Sequence, residues 1–264
     1  MKLEMLEKLF KISGIYSLYE KWLRNQVSKG VIPRHIGVVL DGNRRWAEKR
    51  GKVPWFGHRE GANKVEELIK WCRELGSETL TLFVFSLDNF KRSKEEIEEI
   101  SDLLLEEVKK AKEDIDVMKH KIRFTMIGRR DMISPNLLRE IEELEGKTEE
   151  NDGMMVNIAF AYDGKQEIVD AAKRVAEETA KGNMILDEID EAKFQKYLYT
   201  SHLDHQDVDM MVRTSGEMRL SGFLLWQSAY SELVFLDVYW PDFRMIDLMR
   251  AIRIYQKRRR RFGK

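Results

Sequence analysis

The chain has 264 residues, 43% of them hydrophobic and including 12 Phe, 8 Tyr and 6 Trp, which suits one substantial core and excludes a disordered protein. Its 46 basic and 46 acidic residues cancel, so no global field recruits nucleic acid or an anionic membrane, and any basic site must be local. The single cysteine, Cys72, excludes an internal disulfide and fits a reducing cytoplasm, while no run approaches the roughly 20 apolar residues of a membrane span.

Residues 1–30 stand apart. Leu3, Leu6, Phe10, Tyr16, Tyr19, Trp22 and Leu23 alternate with Lys2, Lys8, Lys11, Lys21 and Arg24, an amphipathic helical pattern interrupted near Gly14. Lys8 and Lys11 break the apolar core that a signal peptide needs. Two readings stay open for this extension: a helix packed on the body of the protein, or a peripheral surface that touches membrane lipid.

From residue 31 onward the pattern is α/β. Ile36–Leu40, Leu80–Phe85, Ile122–Ile127, Met155–Ala161, Val208–Val212 and Leu233–Val238 are nearly continuous apolar segments, as strands buried on both faces require. Between them, Val65, Leu68, Ile69, Cys72 and Leu75 share one helical face ending at Gly76. Ser93-Lys94-Glu95-Glu96 opens a longer helix that carries Ile97, Ile100, Leu104, Val108, Ala111 and Ile115 inward, and Ser134-Pro135 opens another. The alternation predicts a single α/β domain with a six-stranded, mostly parallel central sheet flanked by helices.

Ligands of such sheets bind beyond the carboxyl ends of the strands. Those ends carry Asp41-Gly42-Asn43-Arg44-Arg45-Trp46, then Ser86, Asn89 and Arg92, then Tyr162-Asp163-Gly164-Lys165, then Arg213 through Ser221. Each piece alone is weak, since Asp-Gly is most often a turn and paired arginines are most often solvated. Together they are complementary. Glycine before a helix offers free N–H groups to an anion, arginine forks match phosphate oxygens, and a lone carboxylate in a phosphate site is a usual Mg²⁺ ligand. No P-loop or dinucleotide glycine fingerprint follows any strand. The residues therefore point to a phosphate-rich substrate with Mg²⁺ and not to a common nucleotide site.

The segment His35-Ile36-Gly37-Val38-Val39-Leu40-Asp41-Gly42-Asn43-Arg44-Arg45-Trp46-Ala47 resembles the signature of the cis-prenyltransferases, the undecaprenyl diphosphate synthase family. The resemblance continues through Phe56–Ala62, Phe85–Arg92, Asn157–Gly164 and Asp209–Glu232, and it ends at Arg261-Phe262-Gly263. It implies a catalytic domain over 31–264, with consecutive condensations of isopentenyl diphosphate onto an allylic prenyl diphosphate to give a long Z-polyprenyl diphosphate. Asp41 would hold Mg²⁺ and, with Asn89, serve catalysis. Gly42, Asn43, Arg44, Arg45, Trp46 and His58 would surround the allylic diphosphate, and Ser86, Leu87, Asp88, Phe90 and Arg92 would frame the reacting centre. Arg213, Arg219, Leu220 and Ser221 would bind isopentenyl diphosphate, and Glu232 would be a second Mg²⁺ ligand. Because a neutral amide is a very weak base, Asn89 suits positioning better than proton acceptance, which falls more easily to a diphosphate oxygen or His58.

The family likeness also implies a homodimer whose Arg261-Phe262-Gly263 reaches the partner's site, a cytoplasmic location, and, from an archaeal-like N-terminal extension, a geranylgeranyl primer. Pro54 replaces an arginine common in bacterial members, Phe90 a tryptophan, Lys165 an arginine and Gly222 an asparagine. A growing chain needs a dry hydrophobic tunnel, for which Phe83, Val84, Phe85, Leu103, Leu104, Ile127 and Phe160 are candidates. Each five-carbon unit buried there would gain roughly 3–4 kcal/mol at about 0.8 per CH₂. Three rivals remain: a trans-prenyltransferase, disfavoured because no Asp-Asp-x-x-Asp occurs; a silent partner subunit, disfavoured by the presence of Asp41, Arg213 and Arg219; and a diphosphatase using His58 as base. The basic run Lys257–Arg261 reads as a helix C-terminus and not as a nucleic-acid site.

Overall fold

The computed structural model describes residues 15–258. Residues 1–14 of the extension, most of the Lys257–Arg261 run and the Arg261-Phe262-Gly263 motif lie outside the described residues. Six strands, β1 (His35–Val39), β2 (Thr79–Ser86), β3 (Arg123–Ile127), β4 (Met155–Tyr162), β5 (Met210–Arg213) and β6 (Glu232–Phe235), form one sheet in the order β3-β4-β2-β1-β5-β6. Every neighbouring pair is parallel, so the sheet is wholly rather than mostly parallel. All residues of β1 and β5 are buried, which is why their sequences lack alternation. Alternate residues nonetheless serve different faces. Ile36, Val38, Met210 and Val212 join the main core, and Val39, Met211, Ile127 and Ala159 join a smaller cluster around Tyr162 and Phe223.

Helix α1 spans Ile15–Val27, α2 Asn43–Glu48, α3 Pro54–Leu75, α4 Lys94–Glu113 and α5 Ile115–Lys119; α6 (Pro135–Thr148), α7 (Gly164–Ala180), α8 (Glu191–Gln195) and α9 (Met245–Lys257) follow. Pro54 stands in the first turn of α3, where its missing N–H costs nothing, and Gly76 closes that helix with φ 90°. Ser93 caps α4 and Ser134 caps α6 through their hydroxyls, each accepting a backbone N–H at 3.3 Å. Ile100, Leu104 and Val108 of α4 are buried as its periodicity predicts. Ile115 is not: α4 stops at Glu113, Asp114 caps the new helix α5, and Ile115 is left 80% exposed.

The described part of the extension packs on the body of the domain. Leu23 and Val27 are buried in the core with α9 residues such as Ile252 and Tyr255, and Gln256 Nε2 donates to the Val27 carbonyl at 2.8 Å. Arg250 and Arg253 of α9 lie over the rings of Tyr19 and Trp22. Leu18 and Trp22 still face outward, 67% and 48% exposed. No helix among the described residues is long and apolar enough to cross a membrane.

One topological feature positions the site. The chain leaves β1 for β2 on one side, and β5 later docks on the other side of β1, with Val39 opposite both Phe83 and Arg213. The crevice beyond the end of β1 is thus a point where strand order diverges, the usual location of ligands in open parallel sheets.

Candidate active site

Asp41 sits just past β1 and Arg213 is the last residue of β5, so parallel pairing alone brings them together. Arg213 Nη2 donates to Asp41 Oδ2 at 2.8 Å and Arg45 Nη2 donates to Oδ1 at 3.2 Å. Arg45 comes from α2, four residues on, one helical turn away. Thr214 pins the backbone beneath: its Oγ1 accepts from the Asp41 N–H at 3.0 Å and donates to the Asp41 carbonyl at 2.7 Å. Burial raises the Asp41 pKa, but hydrogen bonds from Arg213 and Ser215 and the charges of both arginines outweigh it, holding the carboxyl below its usual range. Asp41 is therefore an anion clasped by two cations.

The arginines are themselves aimed by strained backbone. Ser215 and Ser221 both adopt positive φ, 75° and 52°. Ser215 Oγ accepts from Arg45 at 2.7 Å and Ser221 Oγ accepts from Arg213 at 2.8 Å. Arg213 Nη1 also donates to the Arg219 carbonyl at 2.5 Å. Gly42, at φ 104°, has no room for a side chain, since a Cβ would lie 2.6 Å from the Tyr239 ring. Gly57 of α3 lets that helix press on α2; a Cβ there would stand 2.1 Å from the Asn43 carbonyl.

A second cationic group lies across the crevice. Glu96 of α4 accepts from Arg92 at 2.8 Å, pairs with Arg44 at 3.5 Å and stands 3.7 Å from His58 Nε2. Burial first, then the charge of Arg92, lowers the His58 pKa to about 4, so its ring is neutral near pH 7. Asn89 is locked against the end of β2: its Oδ1 accepts the Ser86 N–H at 3.0 Å while Ser86 Oγ accepts the Asn89 N–H at 3.2 Å. With Oδ1 occupied, Asn89 presents its NH₂ as a fixed donor, which suits positioning and not proton acceptance.

These groups surround the mouth of a cavity of about 1090 Å³ that runs between the sheet and helices α3 and α4. Asp41, Gly42, Asn43, Arg44, Arg45, His58, Ser86, Asn89, Arg92, Arg213 and Ser221 all line it. Below the mouth the wall is apolar, with Val65, Ile69, Phe83, Val84, Leu104 and Val108 among its residues. Of the tunnel candidates, Phe83, Val84, Phe85, Leu103 and Leu104 line this space; Ile127 and Phe160 do not and are ordinary core.

Seven expected site residues do not line the cavity. Trp46 is 8% exposed, stacked on Phe56 and covered by Arg50, so it braces α2 against α3. Leu87 packs on the core, and Phe90 meets Phe85 edge-on at 5.0 Å behind the wall. Asp88 faces solvent, paired with Lys91 at 2.7 Å. Leu220 packs in the smaller core cluster, and the Arg219 side chain is 63% exposed and bound to Glu217 at 2.5 Å. Glu232 lies apart from Asp41 within one chain. It opens β6 opposite Met210, the start of β5, whereas Asp41 lies beyond the other end of the sheet. Its carboxylate pairs with Arg258 at 2.9 Å.

Sequence reasoning missed Glu96 and Glu217 as members of the site. Glu217 links Arg45, at 3.2 Å, to Arg219. Glu217 lies within the last arginine block and read equally well as solvated surface, and Glu96 read as part of the cap that opens a helix at Ser93. No group of three or more metal-ligating side chains exists among the described residues. Asp41, an ionised and partly open carboxylate among phosphate-type donors, fits the single-carboxylate mode by which Mg²⁺ is held jointly with phosphate oxygens.

Comparison with known proteins agrees with this geometry. The family model of the prenyltransferases described as undecaprenyl diphosphate synthase matches residues 39–263. An isoprenyl transferase of Thermus thermophilus is 48% identical over 98% of this chain and 100% of its own length. A tritrans,polycis-undecaprenyl-diphosphate synthase (geranylgeranyl-diphosphate specific) of Pyrococcus horikoshii is 45% identical over 94% of each chain. The crystal structure of lavandulyl diphosphate synthase from Lavandula x intermedia, in complex with dimethylallyl diphosphate, superposes with a TM-score of 0.86 at 33% identity, covering 88% of this chain and 99% of that one. Fold and site together define an α/β prenyltransferase. The chain belongs to the undecaprenyl diphosphate synthase family, whose members condense isopentenyl diphosphate onto an allylic diphosphate.

Proposed function

We propose that this chain extends an allylic prenyl diphosphate, of the geranylgeranyl class, by successive additions of isopentenyl diphosphate in the cis configuration, giving a long Z-polyprenyl diphosphate. The observation that carries the proposal is the Asp41 carboxylate, clasped by Arg45 and Arg213, at the polar mouth of a cavity whose walls below are apolar. The mouth suits two diphosphates and the walls suit a hydrocarbon tail.

On this reading Gly42, Asn43, Arg44 and Arg45 receive the allylic diphosphate, where the short helix α2 begins. Arg213 and Ser221 receive isopentenyl diphosphate, with Arg219 closing over it from the exposed side. Asp41 would hold Mg²⁺, which when bound offsets charge on the departing diphosphate. The allylic C1–O bond breaks with its electron pair going to diphosphate, the terminal alkene carbon (C4) of isopentenyl diphosphate bonds to that C1 and leaves a cation at its own C3, and a proton then leaves C2 of the isopentenyl unit to form the new double bond. With the Asn89 carbonyl occupied and His58 held at about 4, a diphosphate oxygen is the better proton acceptor. Asn89 and Ser86 then orient the second diphosphate, and Arg92 anchors it once Glu96 yields.

A homodimer and a lipid-guiding role for residues 1–30 belong to the same proposal. The first is tested by sedimentation. The second is tested by deleting residues 1–14, which keeps the buried Leu23 and Val27 in place and should reduce turnover and change its dependence on detergent. The central test is incubation with Mg²⁺, labelled isopentenyl diphosphate and allylic primers of three lengths, with products resolved by chain length. A ladder of Z-configured products, fastest from the geranylgeranyl primer, is expected. Release of inorganic phosphate without a new carbon chain would instead mark a diphosphatase, and no reaction would mark a silent subunit.

A further inference from the structure

Ser221, whose hydroxyl holds Arg213 Nη1, stands on backbone that few residues adopt. Ser221, Gly222 and Leu224 have φ of 52°, 81° and 45°, left-handed values at three positions of which only one is glycine. Such conformations are costly for serine and leucine, so surrounding contacts must impose them. The turn supplies one bond of its own, from the Phe223 N–H to the Leu220 carbonyl at 3.1 Å. A further hold comes from the first turn of α7, far earlier in the chain. The first N–H groups of a helix have no partners inside it. In α7 they are divided: Asp163 Oδ1 accepts the Lys165 N–H at 2.9 Å and the Gln166 N–H at 3.1 Å, whereas the Gly164 N–H donates to the Gly222 carbonyl at 2.7 Å. The fit leaves no slack. A Cβ on Gly164 would stand 2.6 Å from that carbonyl oxygen, and one on Gly222 would stand 2.7 Å from Asp163 Oδ2. Farther along, Gln227 Nε2 donates at 3.0 Å to Glu167 Oε1, which also accepts the Tyr199 N–H at 2.8 Å. Segment 222–227 is thus fastened at both ends to one helical turn, and between them Phe223 stacks at 4.6 Å on Phe83 of the cavity wall.

We propose that Gly164, aimed by the cap at Asp163, is a positioning residue for isopentenyl diphosphate: it holds the Ser221–Gly222 turn so that Ser221 Oγ stays on Arg213. Neither Asp163 nor Gly164 lines the cavity, so both act through the turn and not by touching substrate. The proposal rests on the elongation reading above, and it gives a task to the strand-end block Tyr162-Asp163-Gly164-Lys165, which that reading left without one. The allylic diphosphate is received by α2, which this turn does not carry. Moving the turn therefore weakens the hold on one substrate and spares the other.

Initial rates of condensation, with each substrate varied in turn, test it. Gly164→Ala pushes the Gly222 carbonyl away. Its KM for isopentenyl diphosphate should rise roughly tenfold or more, on the scale of a displacement of about 1 Å, while its KM for the allylic primer stays within about twofold of wild type. Asp163→Ala removes the cap that aims the Gly164 N–H and should raise the same constant by a smaller factor, with Asp163→Asn, an equally good cap, restoring it. Gly146→Ala in α6, where a Cβ would meet nothing within 4 Å, is the control and should leave both constants at wild-type values. A purely structural role would lower the active fraction, and so kcat, without separating the two KM values. An unchanged KM for isopentenyl diphosphate in Gly164→Ala, or an equal rise in both constants, overturns the proposal. Should that variant not fold, the same result in Asp163→Ala overturns it. If the wild-type protein condenses no primer at all, the elongation reading itself has failed and the positioning role falls with it.

Discussion

Two of the polar clusters in this molecule differ in how their hydrogen bonds close. Under the middle of the sheet, His202 Nε2 meets Asn157 Oδ1 at 2.8 Å, Asn157 Nδ2 donates to Thr81 Oγ1 at 3.0 Å, and Thr81 Oγ1 meets His35 Nε2 at 2.8 Å. His35 Nδ1 then meets the Gln206 carbonyl at 3.2 Å. Because Asn157 supplies the proton to Thr81, the threonine hydroxyl is free to donate onward, which puts the His35 proton on Nδ1 and its direction toward Gln206. Every link has one donor and one acceptor. At the mouth of the cavity the balance is different: Arg213 Nε, His58 Nε2 and Asn43 Oδ1 are buried without a partner, and three carboxylates share five arginines. A closed network specifies a fold; one with unpaired polar atoms and more arginines than carboxylates around an open space suits an anionic ligand.

That contrast breaks if changes in the two clusters have the same consequences. The largest expected effect is on activity. Asp41→Ala should lower isopentenyl diphosphate incorporation by about 1,000-fold or more, on the scale of lost transition-state electrostatics, while the thermal melting point stays within a few degrees. Wild-type incorporation in that variant would end the assignment of Asp41. Asn157→Leu should do the reverse. It leaves the Thr81 hydroxyl and His202 facing an apolar group, at a cost of about 1–3 kcal/mol read from chemical denaturation, with kcat nearly intact in the folded fraction.

The third effect concerns pH and emerges only on acidification. Burial is the leading cause that lowers both His35 and His58 to about 4. A neutral histidine with a folded pKa below its unfolded value of about 6.5 contributes stability that is complete above pH 6.5 and is lost as pH falls toward 4. For each ring the total is on the order of 3 kcal/mol. His58→Gln should therefore flatten the decline in melting temperature between pH 6.5 and 4, leaving the share due to His35. An identical slope in wild type and variant would show that His58 is not held neutral.

Much of the architecture was legible in the residues. The six apolar runs are the six strands, with ends shifted by at most three residues, because burial on both faces leaves a continuous rather than alternating signal. Helix starts at Ser93 and Ser134 and the stop at Gly76 were readable for a local reason, since caps depend on a few adjacent atoms. Ile115 was misjudged by the same periodicity that succeeded for Ile100 and Leu104: a period cannot show where a helix ends when the following residue, Asp114, starts another.

The site divides along the same line. Sequence alone determined which residues stand at strand ends, and so that Asp41, the arginines and the glycines meet at one edge of the sheet. It could not determine which of them face the ligand. Trp46, Phe90 and Leu220 share the motif blocks yet turn inward to pack, and Arg219 turns outward to Glu217, because side-chain direction follows from neighbours distant in sequence. Only the tertiary structure recruited Glu96 to Arg92, Arg44 and His58 and separated Glu232 from Asp41 by the length of a strand pair. Local chemistry is written in adjacent residues, whereas the shape and ends of a cavity are set by how α3 and α4 lie across the sheet.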